Sequence, residues 1–105
     1  RLFGGQMMAW IDEAAALYVM SQLRTKSIVT VTVSNLTFET PVLNGDILEF
    51  HCSTAKLGRT SIDVLVEVKK LDVVGQESNN VVTCSIKFVN IGADGKAAPH
   101  GLIYG

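Results

Sequence analysis

Cysteine is scarce in this chain of 105 residues, in which only Cys52 and Cys84 occur. Neither belongs to a Cys-x-x-Cys pair, and both fall in strand-like stretches. The two histidines, His51 and His100, have no cysteine, aspartate or second histidine at a spacing typical of metal ligands. We therefore expect two free, buried thiols, no metal, no cofactor and a reducing, cytoplasmic compartment.

Strong charge and long apolar runs are also missing. The net charge is −1 and the basic residues are scattered, unlike the basic footprint of a nucleic-acid-binding protein. No run approaches the roughly 18 apolar residues of a membrane span, and no signal-peptide pattern occurs. We expect neither a nucleic-acid nor a membrane partner. Because the sequence begins at Arg1, close to its first motif, we also expect that an N-terminal segment precedes it.

Apolar residues, in contrast, are abundant and make up 48% of the chain. The length predicts a single domain spanning residues 1–105. A domain of this size buries a smaller fraction of its surface than a larger one does. The apolar excess therefore predicts a partner subunit.

The first predicted element is a helix from Gln6 to about Leu23, a stretch rich in methionine, alanine and leucine. The pair Gly4-Gly5 precedes it and allows a tight turn. Apolar residues occur on nearly all sides of this helix, which predicts that it is buried.

Alternating, β-branched stretches follow and predict four strands at residues 27–40, 46–57, 60–74 and 81–91. In the third of them, Ile62, Val64, Val66 and Val68 share one face. Residues 75–80 read as a polar loop, and residues 96–105 as a tail or a segment that contacts a partner. Short connections favour antiparallel pairing. We therefore predict an α+β architecture in which one long helix packs on a curled antiparallel sheet.

Two adjacent carboxylates, Asp12 and Glu13, interrupt the apolar helix. Neither has a cation one helical turn away, and a buried carboxylate is costly unless it is paired or used. We expect at least one of them to point inward and to serve as a general base or nucleophile. The alternative is that either acid reaches solvent or a backbone partner.

Two glycines mark a second candidate site, at the start of the helix. The free amides of a helix N-terminus at Gly4-Gly5 attract negative charge that develops on a carbonyl oxygen. The alternative is that the two glycines only make a tight turn.

A basic turn is the third candidate. In the stretch KLGRTS, residues 56–61, Arg59 suits phosphate oxygens, while Thr60 and Ser61 add hydroxyl donors. The alternative is an ordinary solvated turn. No glycine-rich phosphate loop, nucleophile elbow or Ser/His/Asp arrangement appears. Together these features favour the hydrolysis or binding of an acyl compound that carries a phosphate group.

The order of four stretches extends this interpretation. They are FGGQMMAWIDEAAA, IVTVTVSNLTFETPVLNGDILEF, GRTSIDVLVEV and FVNIGADGK. This series, from Phe3 to about Lys96, resembles the hotdog-fold acyl-CoA thioesterases, and most closely the bacterial acyl-CoA thioester hydrolases. The resemblance implies a five- or six-stranded sheet around the helix, of which the first strand is missing from this chain. It also implies a homodimer with a continuous sheet, which in this family often assembles further as a trimer of dimers.

The resemblance also implies roles for individual residues. Asp12 is the base or nucleophile, an amide of Gly4 or Gly5 polarises the thioester carbonyl, and residues 59–61 contact coenzyme A. Glu13 remains open as the catalytic acid. Two other activities stay open as well: a non-catalytic acyl-CoA-binding hotdog module, and a hydroxyacyl-thioester dehydratase. Dehydratases of this fold usually rely on a histidine near the start of the helix, and this helix has none.

Overall fold

The described residues form one helix and four strands, as predicted. The computed structural model describes residues 4–25, 27–43, 45–71 and 78–102. In chain order the elements are α1 (Gly4–Leu23), β1 (Ile28–Phe38), β2 (Ile47–Leu57), β3 (Ser61–Leu71) and β4 (Ser78–Asn90). The described residues thus hold four strands, fewer than the five or six that the resemblance implies.

Predicted boundaries of the helix and of β4 are wrong, and β1 ends at Phe38, two residues before its predicted end. The helix begins at Gly4, two residues earlier than predicted, so both glycines lie inside its first turn. Residues 78–80, predicted as loop, belong to β4 because they pair with the end of β3, where Leu71 lies opposite Ser78. Their polar side chains favour a loop, but backbone pairing with β3 makes them part of the strand. The end of the predicted third strand, residues 72–74, and the rest of the loop lie outside the described residues.

The four strands form one antiparallel sheet in the order β1-β4-β3-β2. The hairpins β2-β3 and β3-β4 follow the chain, whereas β1 crosses over to pair with β4. Strands β3 and β4 are therefore central, and β1 and β2 are the edges of the described sheet.

One stripe of α1 packs against the sheet. Met7, Ile11, Ala15 and Val19 are buried at every fourth position, which places them on one helix face. They meet alternate residues of the central strands, and the predicted inward face of β3 is confirmed. The strand side of this core consists of Ile62, Val64, Val66, Val68, Val81, Val82, Cys84, Ile86 and Phe88.

The rest of the helix is not buried, so the prediction of burial on all sides is wrong for the single chain. Trp10 is 39% exposed and Leu17 is 59% exposed. The physical reason is that a helix on one sheet face has only one neighbour. In the described part of the chain, no helix is long and apolar enough to cross a membrane.

The connection between β1 and β2 is braced by Asp46. Its carboxylate accepts a hydrogen bond of 2.7 Å from the amide of Leu43 and lies 3.6 Å from Lys70 Nζ. Lys70 Nζ also donates to the carbonyl of Pro41 at 3.2 Å. Gly45 has φ of 92°, a left-handed conformation that glycine adopts without strain. Asp46 thus stabilises the turn that precedes β2.

Candidate active site

Asp12 lies on the flank of α1 that faces edge strand β1. Its Oδ1 accepts a hydrogen bond of 3.0 Å from the hydroxyl of Thr30. The bond fixes one carboxylate oxygen and leaves the other open to a ligand. Both residues are exposed in the single chain, so any removal of water from this carboxylate has to come from outside the chain.

Glu13, the neighbouring acid, points to a different region. It lines an open groove between α1 and β2 with a volume of about 480 Å³. The other lining residues are Trp10, Ala14, Leu17, Asp46, Leu48 and Phe50. Glu13 is exposed like Asp12. The expectation that at least one acid points inward is therefore wrong for the single chain, because only residues 7, 11, 15 and 19 of the helix face the core.

Gly4 and Gly5 form the first turn of α1, whose amides have no partner within the helix. Gly5 is exposed, and apart from its chain neighbours and the backbone of its own helix, no atom of the described residues lies within 4 Å of the position that a Cβ would take there. Asp12 follows seven residues later, which corresponds to a rise of ~10 Å along the axis. That backbone rise is longer than the ~3 Å of a direct contact, and the Asp12 side chain spans only part of it. A water molecule, or an amide from a second chain, would shorten the path between carbonyl and carboxylate.

The turn at Arg59, Thr60 and Ser61, between β2 and β3, is tightly held. The amide of Gly58 donates to the carbonyl of Ser61 at 3.0 Å, and the amide of Asn90 donates to the carbonyl of Thr60 at 2.8 Å. A Cβ at Gly58 would lie 2.5 Å from Ser61 Oγ, so a larger residue there would force the Ser61 side chain to rotate. Arg59 is exposed, and within the described ranges its guanidinium makes no ion pair.

The sheet register relates this turn to Asp12. Thr30 lies opposite Phe88, and Phe88 lies opposite Ile62. Thr30, the partner of Asp12, is therefore two strands from the residue that follows Ser61, or ~10 Å. The acid and the basic turn share one end of the sheet, where one elongated ligand can reach both.

Other reactive groups fit structural roles. Cys52 and Cys84 are free thiols, as predicted, although only Cys84 is fully buried and Cys52 is half-buried. Burial raises the pKa of both thiols, which keeps them protonated and poorly nucleophilic. His51 lies 3.1 Å from Glu49 on exposed β2. No group of residues suited to hold a metal ion occurs among the residues that the structure describes.

Sequence reasoning missed two residues at this end of the sheet. Thr30 was one of several alternating threonines, and nothing in the pattern distinguished it. His100 lay in a tail without periodicity. In the structure its backbone amide donates to the Arg59 carbonyl at 3.2 Å, and its ring contacts the Ser61 carbonyl at 3.0 Å.

Comparison with protein families places these residues in context. A family model described as the thioesterase superfamily matches residues 1–75. The acyl-CoA thioester hydrolase YciA of Salmonella typhimurium is 32% identical over 102 residues, which cover 93% of this chain and 75% of YciA. An uncharacterised acyl-CoA thioester hydrolase of Zymomonas mobilis is 40% identical over 67 residues, 64% of this chain and 44% of that protein. The chain spans about half the length of the first curated relatives that it matches.

Solved structures give the same picture. An acyl-CoA hydrolase from Staphylococcus aureus, in complex with butyryl coenzyme A and coenzyme A, matches with a TM-score of 0.87 and 30% identity, over 93% of this chain and 59% of that one. A hexameric thioesterase from Yersinia pestis matches with a TM-score of 0.85 and 29% identity, over 99% of this chain and 82% of that one. The staphylococcal hydrolase also has structures with an aspartate, or a threonine, replaced by alanine.

Proposed function

The chain belongs to the thioesterase superfamily and has the α+β hotdog fold predicted from its sequence, and we propose that it hydrolyses acyl-CoA thioesters to free fatty acid and coenzyme A. The observation that carries this proposal is the hydrogen bond from Thr30 to Asp12 beside an exposed edge strand. The names of the curated relatives and of the structural neighbours support it. The reaction needs no cofactor.

Asp12 is the acid that we assign to catalysis. Thr30 fixes its Oδ1, so the other oxygen can take a proton from water or attack the thioester directly. With water, the oxygen adds to the carbonyl carbon, the proton passes to Asp12, the C–S bond breaks and the coenzyme A thiolate receives the proton. With direct attack, Asp12 and the acyl group form an anhydride as the C–S bond breaks and the coenzyme A thiolate leaves. Water then cleaves the anhydride to the fatty acid and free Asp12, and the thiolate takes up the released proton. Glu13 faces the groove on the other flank and takes no part in this assignment.

The oxyanion is assigned to the helix N-terminus at Gly4 and Gly5. The open space around Gly5 leaves room for a carbonyl to approach the amides. Because Asp12 lies ~10 Å further along the same axis, we assign the two groups of one site to different chains in the direct-attack mechanism. Water activation allows a longer path.

Residues 59–61 bind the coenzyme A part in this proposal. Arg59 presents a guanidinium without an ion-pair partner in the described chain, on a turn whose backbone is held by hydrogen bonds. Thr60 and Ser61 add hydroxyl groups at the same place. Such an arrangement suits the phosphate groups of coenzyme A.

A second copy of the chain completes the site. Exposed carboxylates are weak bases, and the chain itself does not cover Asp12. Val29, Val31 and Val33 of the neighbouring edge strand are exposed too. A subunit seated on β1 would cover the valines and the carboxylate together. We therefore propose a homodimer, assembled further into a hexamer as in several structural neighbours. We also propose a cytoplasmic location, because a reducing compartment suits the free thiols.

The test is an acyl-CoA chain-length panel with the wild type, Asp12→Asn and the matched control Glu13→Gln. We expect Asp12→Asn to lower kcat/KM by about 100-fold or more, as for the loss of a general base, and Glu13→Gln to change it little. Full activity of Asp12→Asn together with loss in Glu13→Gln would move the role to Glu13.

The wild type alone tests the reaction class. Absence of hydrolysis across the panel would overturn the thioesterase proposal. Tight coenzyme A binding without turnover would identify a non-catalytic module, and hydration of an enoyl-CoA would identify a dehydratase.

A further inference from the structure

The chain after β4 folds back on the basic turn. Ile91 forms a backbone bridge with Ala97, and the loop between them is closed by a hydrogen bond of 2.8 Å from the amide of Gly92 to the carbonyl of Lys96. Residues 97–102, which we call the strap, then run beside Asn90 and reach the turn at residues 59–61. The described part of the predicted tail, residues 96–102, is therefore packed against its own chain.

Asn90 attaches the first half of the strap. Its carbonyl accepts from the amide of Ala98 at 2.9 Å, and its side-chain amide donates to the carbonyl of Ala98 at 3.0 Å and to that of Pro99 at 3.3 Å. The backbone amide of Asn90 donates to Thr60 at 2.8 Å. One residue thus connects the strap to the basic turn.

His100 attaches the second half, through both ring nitrogens. Nε2 lies 3.0 Å from the carbonyl of Ser61, and Nδ1 accepts from the amide of Leu102 at 3.1 Å. A carbonyl can only accept, so Nε2 carries the hydrogen and Nδ1 is bare, which defines one neutral tautomer. The backbone amide of His100 also donates to the carbonyl of Arg59 at 3.2 Å.

The three carbonyls of the turn are consequently all occupied. Those of Arg59, Thr60 and Ser61 accept from His100, from Asn90, and from Gly58 together with His100. Three of these four hydrogen bonds come from residues beyond the turn's own hairpin, β2-β3. The backbone at Arg59 is thus held by hydrogen bonds, whereas its side chain is exposed to solvent.

We propose that His100 is a positioning residue for coenzyme A: its imidazole locks the strap onto the turn and so holds Arg59 ready for a phosphate group. The inference rests on the proposed function, because it takes residues 59–61 as the coenzyme A contact. Without the lock, Arg59 has to be ordered when the ligand binds, and that ordering weakens binding. His100 itself is not placed against the ligand.

Two substitutions separate the two ring contacts. In His100→Gln the terminal amide can donate to Ser61 in place of Nε2. In His100→Asn the shorter side chain can accept from Leu102 in place of Nδ1 but no longer reaches Ser61. We expect His100→Asn and His100→Ala to raise KM for acyl-CoA about 2- to 10-fold, the fold-change for loss of order in one long side chain, with kcat little changed. His100→Gln should stay near the wild type.

An acyl-pantetheine thioester, which lacks the nucleotide, is the matched substrate. Its KM should be the same in all these variants, because it does not reach Arg59. Arg59→Ala should raise KM for acyl-CoA at least as much as His100→Ala, and the double variant should resemble Arg59→Ala alone, since His100 acts through Arg59. Additive effects in this cycle, or equal effects on both substrates, would overturn the proposal.

Direct binding keeps this test independent of turnover. Calorimetry on the same variants should show that the variants with the larger increase in KM bind coenzyme A more weakly. The backbone amide hydrogens of Gly58 and Asn90 should exchange with solvent faster in His100→Ala than in the wild type. A wild type that binds coenzyme A without hydrolysing acyl-CoA would overturn the proposed reaction and leave this comparison intact. Equal coenzyme A affinity in His100→Asn, His100→Gln and the wild type would overturn the role of His100.

Discussion

Thr30 is the residue whose contact defines the candidate site. Its hydroxyl donates to Asp12 Oδ1 at 3.0 Å, and hydrogen bonds to a charged acceptor are stronger than neutral ones. We expect Thr30→Val to lower kcat about tenfold, the effect of about 1.4 kcal/mol on a barrier, because Asp12 then loses its fixed orientation. Steady-state kinetics on acyl-CoA would measure this.

Matched substitutions make the Thr30 prediction specific. Thr30→Ser keeps the hydroxyl and should keep most of the activity. Thr32→Val makes the same chemical change two residues further along β1 and should have little effect. Unchanged kcat in Thr30→Val would show that Asp12 does not depend on this hydrogen bond.

The candidate catalytic and binding residues could be recognised in the sequence, whereas the residues that contact and position them could not. Asp12 and Arg59 stand out because an acid in an apolar helix and a basic residue in a glycine turn are chemically conspicuous. Thr30 lies 18 residues from Asp12, and His100 lies 39 residues from Ser61. Such contacts depend on how the helix and the tail pack on the sheet, which no local pattern encodes.

The helix α1 has one buried stripe, and this determines how its residues respond to truncation. Ile11 is fully buried, whereas Leu17 is 59% exposed. We expect Ile11→Ala to lower the free energy of unfolding by about 2–5 kcal/mol, the usual cost of a cavity in a core. Leu17→Ala should change it by less than about 0.5 kcal/mol. Denaturant unfolding of both variants would check this, and an equal loss would contradict the single buried stripe.

At the scale of elements, the sequence pattern predicted whether a segment is helix or strand better than it predicted what that segment packs against. The alternation of Ile62, Val64, Val66 and Val68 correctly identified the inner face of β3, because a strand exposes every second side chain to the core. The helix is apolar on nearly every side, so its pattern held no information about which face meets the sheet. Residues 78–80 were predicted to be loop because their side chains are polar. Backbone hydrogen bonds with β3 nevertheless hold them in β4.

At the scale of the whole molecule, the two sheet edges differ. Strand β1 exposes Val29, Val31, Val33, Leu36 and Phe38, of which Val31 and Phe38 are each 54% exposed. Strand β2 carries charged or polar exposed residues such as Glu49, His51 and Lys56. An exposed apolar edge favours pairing with another chain. The apolar excess of the composition is thus concentrated at β1, which no count of residues could have located.

Val33→Lys tests this edge and its link to catalysis together. Val33 is 41% exposed in the single chain, so the folded subunit tolerates the charge, whereas a second copy of the strand laid against it would not. We expect light scattering to show a shift from dimer or larger assembly to monomer, with acyl-CoA hydrolysis falling about as far as in Asp12→Asn. Leu43→Lys is the control, because Leu43 is 68% exposed and lies outside β1. A monomeric Val33→Lys that hydrolyses acyl-CoA at the wild-type rate would show that one chain suffices for catalysis, and would contradict the two-chain site.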